Sequence, residues 1–393
     1  MNRIRRLGAA ALAIVLALSS SATVLSQAKD RPAVKSPAWE NEAAAGGGYL
    51  AWQKNSRGRR HHYDLFLRKP SGRVVKVNRP GTQGGLGSID GGTLVYQEWR
   101  KEATPYARGA FSRIVLYDLK TGRRTMPAAV NGASWEHWPT ISGPWIFYAV
   151  LDSSGNRHLY AFNRKTKARE YVAGAHVEYL QPGRAEGGVV AWVSQSLGQR
   201  RTRAYVMDME GRGYWELRSS RWQWAPTVGP QGAVYVLETG RQCGSSPVIK
   251  RYARTAEDGY STGKVVLRLP EGVDSSWSSA YADARGLAAV VHQRLRCGTR
   301  WGSDIYRFSD TARLTVGTDG SGDGTVAGPG IDCGEDCAEV VSGGTWVTLT
   351  AEPGLASHLE GWSGCTPSSD DPNQCRVRVD DATTVTATFE LGP

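Results

Sequence analysis

The chain has 393 residues, 40% of them apolar and 22% charged, which is material for two or three domains with buried cores and excludes a disordered polar chain. Its 47 Gly, 14 Trp and 16 Tyr call for a core or a binding surface. The net charge of +11 is unevenly spread: residues 29–311 hold 42 Lys/Arg against 24 Asp/Glu (net +18), whereas residues 312–393 hold Arg313, Arg376 and Arg378 against 13 acids (net −10). This break places a domain boundary near Ala312. It leaves three readings open: the two parts attract each other, the basic body meets an anionic partner, or the charge is only a solvated surface.

At the N-terminus, basic Met1–Arg6 precedes a twelve-residue apolar run, Leu7–Leu18, which ends in small polar residues. This is the layout of a secretory signal peptide, with cleavage expected after Ala28 and Ala22 as the alternative. The expected division is a signal over 1–28, a body over 29–311 and a tail domain over 312–393. No later apolar stretch reaches the ~18 residues of a membrane span, so no transmembrane anchor is expected, and the protein reads as secreted or wall-associated.

Across the body a short apolar strand occurs six times, at Tyr49–Trp52, Thr93–Tyr96, Trp145–Tyr148, Val189–Trp192, Ala233–Val236 and Leu287–Val290, with starts spaced by 44, 52, 44, 44 and 54 residues. Each is followed by an alternating strand, such as Tyr63–Leu67, Ile114–Asp118 or His158–Phe162, then by a Gly or polar turn and a further strand. A fourth strand precedes each apolar one, around Pro139–Ile141 and Pro226–Val228. Four strands recurring every 44–54 residues predict an all-β fold, a six-bladed β-propeller. Blade six lacks an evident outermost strand, and Pro32–Lys35 is the expected segment to complete it and close the ring. The unit Trp138-Pro-Thr-Ile-Ser-Gly-Pro-Trp-Ile-Phe-Tyr148, followed by His158-Leu-Tyr160, resembles the TolB-like propeller repeat over about 275 residues. Its turn is degraded to Ser142-Gly-Pro144, Gly229–Gly232 and Asp283–Gly286. That resemblance implies the fold and a tendency to bind proteins or peptides, and no particular chemistry.

The tail alternates strands at Leu314–Val316, Trp346–Ala351, Val377–Val379 and Val385–Phe389 between Gly-rich turns, a small β-grasp-like module. Gly322–Val326, Ile331–Cys337, Gly361-Trp-Ser-Gly-Cys365 and the closing Val385–Phe389 resemble the divergent internalin-type B-repeat, which implies a surface spacer or attachment module without catalytic residues. Six cysteines in an exported chain read as three disulfides. Local spacing gives Cys333–Cys337 and Cys365–Cys375 and leaves Cys243–Cys297, both ten residues past the start of their blade's apolar strand.

Catalytic motifs are absent from this sequence. There is no Gly-x-Ser-x-Gly elbow, and the seven His have no zinc-binding spacing; neither cofactor nor metal is expected. Asp319–Gly324 imitates the start of a calcium loop, but Gly330 stands where the twelfth-position Glu is required, and a Gly-rich hairpin is expected instead. Glu40, Glu42, Glu136 and Glu178 lie near blade starts, yet no spacing pairs two of them for glycoside chemistry. The segments that open the blades are rich in aromatics, and Trp39, Trp138, Tyr179, Trp224 and Trp277 are the candidate ligand-binding residues. The competing reading packs these rings between blades as core. The sequence thus describes a monomeric, non-enzymatic binding protein for a protein, a peptide or an anionic cell-wall polymer, with no nucleic-acid partner. A propeller-type polysaccharide hydrolase or lyase is the alternative.

Overall fold

The computed structural model describes residues 39–55, 63–100, 112–132, 135–174, 177–240, 248–255, 259–268, 280–282, 287–293 and 303–392. The apolar strands found in the sequence are the second strands of their sheets. Leu50, Ala51 and Trp52, then Leu94, Val95 and Tyr96, and likewise Val190, Ala191 and Trp192, are all at most 6% exposed. Buried on both faces between neighbouring sheets, such strands read as continuous apolar runs and not as alternating ones. The third strands alternate instead, with Leu65 and Leu67, Leu159 and Ala161, and Ala204 and Val206 turned inward.

In the first five blades each sheet is antiparallel and ordered inner, second, third, outer. Blade one comprises Trp39–Gly46, Tyr49–Asn55, Tyr63–Arg68 and Val74–Lys76; blade three comprises Trp135–Ser142, Trp145–Leu151, Arg157–Asn163 and Arg169–Gly174. Blade four has Val177–Pro182 inside and Tyr214–Leu217 outside, and blade five runs from Trp222–Val228 to Lys264–Arg268. The inner-to-second hairpins turn on glycine pairs in the left-handed region, Gly47-Gly48, Gly91-Gly92 and Gly187-Gly188, as two-residue turns between twisted strands require. Inner strands of consecutive blades touch, and the inner strand of blade six, Ala280–Ala282, touches that of blade one. The six sheets therefore close a ring, a six-bladed propeller. Three strands of blade six are described; Pro32–Lys35 lies outside the described residues.

Asp310 alone separates the third strand of blade six, Ser303–Ser309, from the first strand of the tail, Thr311–Asp319. The tail consists of a four-stranded and a five-stranded sheet around Leu314, Val326, Leu349, Val379, Val385 and Phe389, each fully buried. Its first and last strands pair in parallel, Leu314 opposite Thr383 through Asp319 opposite Thr388. Cys333–Cys337 and Cys365–Cys375 are bonded, whereas Cys243 and Cys297 lie outside the described residues. The expected hairpin at Asp319–Gly324 is corrected: Thr311–Asp319 and Gly324–Gly328 belong to different sheets, so the segment is a crossover. Its glycines allow close approach, since a Cβ on Gly324 would lie 2.4 Å from the Phe389 ring.

Candidate ligand-binding site

The inner strands of blades three, four and five carry Trp-Glu-His-Trp-Pro (135–139), Glu-Tyr-Leu-Gln-Pro (178–182) and Trp-Gln-Trp-Ala-Pro (222–226). Proline cannot donate to a strand ladder, and each of these strands is bulged. The register slips between Phe147 and Ala149 against blade three's inner strand, between Val177 and Tyr179, and between Trp224 and Thr227. Trp138 and Ala225, each preceding proline, are held in the left-handed region at φ 50° and 42°. That conformation is unfavourable for a side chain bearing Cβ, and doubly so before proline.

These bulges bring the aromatics together across three blades. Ring centroids run from Trp135 to His137 at 5.7 Å, to Trp138 at 4.5 Å, to Tyr179 at 5.9 Å, to Trp224 at 5.7 Å and to Trp222 at 5.8 Å. Except for His137, which is buried, all these rings are partly buried. Trp138 packs on the core around Phe147 and Leu180, Tyr179 on that around Val189 and Val228, and Trp224 on Tyr235, Leu237 and Ile249. The two sequence readings are thus not exclusive, because Trp138 and Tyr179 pack on cores shared by two blades, Trp224 packs on its own sheet, and all three keep part of their surface in water. Of the expected site residues, Trp138, Tyr179 and Trp224 are brought together. The side chain of Trp39 and the whole of Trp277 lie outside the described residues.

Two buried polar residues lie on the same strand, His137 within the run of rings and Glu136 on the other face of the sheet, opposite Val150 in the core shared with blade two. His137, 5% exposed, has Nδ1 3.0 Å from the Trp135 carbonyl, and burial pushes its imidazole down to about 4. At neutral pH the ring is therefore neutral, Nδ1 donates to that carbonyl, and Nε2 is an acceptor without a hydrogen-bond partner among the described residues. Glu136, 3% exposed, accepts from the Gly132 amide at 2.9 Å; burial pushes its carboxyl above the usual range. The spacing Trp-Glu-His-Trp was visible in the sequence, but nothing in it revealed that both polar side chains turn away from water.

Two inner strands, Trp222–Val228 of the arc and Thr82–Asp90 of blade two, are pinned by amides. Gln223, 1% exposed, accepts from the Ala204 amide of blade four at 2.8 Å and donates to the Tyr252 hydroxyl at 3.2 Å. Gln83 accepts from the Tyr63 amide of blade one at 3.0 Å. Such bonds tie an inner strand to the preceding blade.

The sheet order and closure define the class, a six-bladed β-propeller followed by a β-sheet repeat module. Residues 314–393 match the divergent InlB B-repeat domain family. The chain is similar to the crystal structure of TolB from Acinetobacter baumannii (16% identity, 66% of this chain and 63% of that one, TM-score 0.44). It is also similar to a putative TolB from Agrobacterium tumefaciens (14%, 70% and 92%, 0.44) and to an oligogalacturonate lyase from Vibrio parahaemolyticus (11%, 72% and 95%, 0.40). The chain thus spans less than two thirds of the A. baumannii protein. A comparison with curated proteins finds no match.

Proposed function

We propose that the protein is an exported binding protein whose propeller takes an extended ligand along the aromatic arc of blades three to five, with the C-terminal repeat as its attachment module. The observation that carries this reading is the unbroken run of six rings from Trp135 to Trp222 on adjacent inner strands. Aromatic faces bury large area at small entropic cost and suit a peptide or a sugar chain. The +18 body extends the expected ligands to anionic wall polymers. Bonded cysteines in the tail fit an oxidising, exported location. The test is binding of the full chain to peptides, wall polymers and plant glycans, with Trp138→Ala and Trp224→Ala expected to weaken binding at least tenfold. Loss of folding in both variants, or unchanged affinity, removes the arc from recognition.

The alternative reading, a polysaccharide hydrolase or lyase, rests on one feature, the buried Glu136, whose carboxyl is pushed upward by burial, the direction that suits a general acid. New reducing ends or unsaturated products from a glycan panel, abolished by Glu136→Gln, would establish it over the binding-only reading.

A further inference from the structure

We infer that the C-terminal module is not a pendant spacer but a fixed mount, docked on blade five at the face of the propeller opposite the aromatic arc. The docking is built around Arg251, whose side chain is 1% exposed. Its Nη1 donates to both carboxylate oxygens of Asp310 at 2.8 Å, and its Nη2 donates to Asp380 Oδ1 at 2.8 Å and to the Asp380 carbonyl at 3.3 Å. The Tyr235 hydroxyl donates to Asp310 at 2.8 Å. A desolvated guanidinium is tolerated only when its charge and its donors are met. Here one carboxylate comes from the single connecting residue and the other from the tail.

The surroundings fit the same arrangement. Lys264 pairs with Asp381. The Trp346 amide donates to Gln231 Oε1 at 3.0 Å, and its indole donates to the Arg254 carbonyl at 3.3 Å. Gln231 sits at φ 56° in the inner-to-second turn of blade five, a position where blades one, two and four use glycine, and its amide is spent on the tail. On the tail side the turn Gly343-Gly344 lies against the clamp, and a Cβ on Gly343 would come within 1.8 Å of Arg251 Nη1.

Chain direction fixes the face. Within a blade the inner-to-second and third-to-outer turns share one face, and the starts of the inner strands share the other. Gln231, Tyr235, Arg251, Arg254 and Lys264 lie in or beside the former turns, whereas Trp135 and Trp222 open their inner strands. The seven-residue inner strand of blade five therefore sets the mount about 20 Å from Trp222 and about 13 Å from Trp224. Whatever holds the tail holds the arc pointing away from it, and this geometry stands whether or not the arc binds a ligand.

The test places nitroxides on the full chain at Lys165→Cys, an exposed turn of blade three, and at Leu355→Cys, 99% exposed at the far end of the tail, and reads the distance distribution by pulsed electron resonance. A single narrow distribution is expected, broadened at least twofold by Gly343→Ala and by Asp380→Ala while near-ultraviolet dichroism stays native. Lys264→Asp should broaden it less, and adding Asp381→Lys should restore it. These are surface changes that keep the test valid should the clamp variants misfold. A broad distribution in the otherwise unsubstituted chain overturns the mount. So does a width unmoved by Gly343→Ala, Asp380→Ala and Lys264→Asp alike.

Discussion

His137 is the residue where burial and titration meet most directly. An imidazole in the unfolded chain takes up its proton near 6.5, whereas in the folded propeller uptake is pushed down to about 4. Between those values the unfolded state binds the extra proton. The contribution is therefore fully present above about pH 6.5 and is lost as pH falls toward 4, by up to about 3 kcal/mol. Glu136 works in the opposite sense, because a carboxyl raised by burial favours the folded state only while protonated. Arg157 adds to the depression of His137. Denaturant titrations between pH 7 and 4.5 should show stability falling with acid, and His137→Gln should flatten that slope. Equal slopes in the two proteins would assign the acid sensitivity to other groups.

The elements show what a repeat does and does not reveal. Second strands were legible because burial on both faces writes an uninterrupted apolar run, and third strands because one buried face writes alternation. The inner strands were placed only by Pro139–Ile141 and Pro226–Val228, since Gly, Gln and Trp carry no such period and their bulges break it. The six-residue stretch Asp319–Gly324 was misread because a Gly-rich turn looks the same whether it closes a hairpin or passes from one sheet to another. Trp138, Tyr179 and Trp224 were found through residue type, but not the amides that fix inner strands, whose partners lie one blade away. Gln223 is the most demanding of these. Gln223→Leu would leave the Ala204 amide without its acceptor and take one donor from the Tyr252 hydroxyl, which keeps its bond to Glu238, and should cost about 1–3 kcal/mol. Chemical unfolding should register that loss as a lowered midpoint with an unchanged slope; an unaltered midpoint would show that the amide is dispensable.

At the scale of the whole molecule the charge break near Ala312 was legible as arithmetic, and its attractive reading is realised at Arg251. The partners themselves were not legible, because Asp310 and Asp380 stand 59 and 129 residues away along the chain. Docking pairs Arg251 and Lys264 of blade five with Asp310, Asp380 and Asp381, a small part of the +18 surplus. Attraction to an anionic polymer should therefore persist in the full chain and fall steeply with salt, as the Debye length contracts from ~10 Å at 0.1 M to ~3 Å at 1 M. Trp224→Ala should lower affinity without changing the salt slope, since apolar burial is not screened. Equal binding of anionic and neutral polymers at low salt would leave the charge surplus without a recognition role. The parallel pairing of the tail's first and last strands has a mechanical consequence. Tension applied between the propeller, which feeds the start of Thr311–Asp319, and a point beyond the end of Thr383–Leu391 would pull these neighbours past one another lengthwise. The ladder from Leu314–Thr383 to Asp319–Thr388 then resists in shear, with its hydrogen bonds strained together and not opened one at a time. A protein anchored through that end would keep its module folded under a drag that would unzip a hairpin.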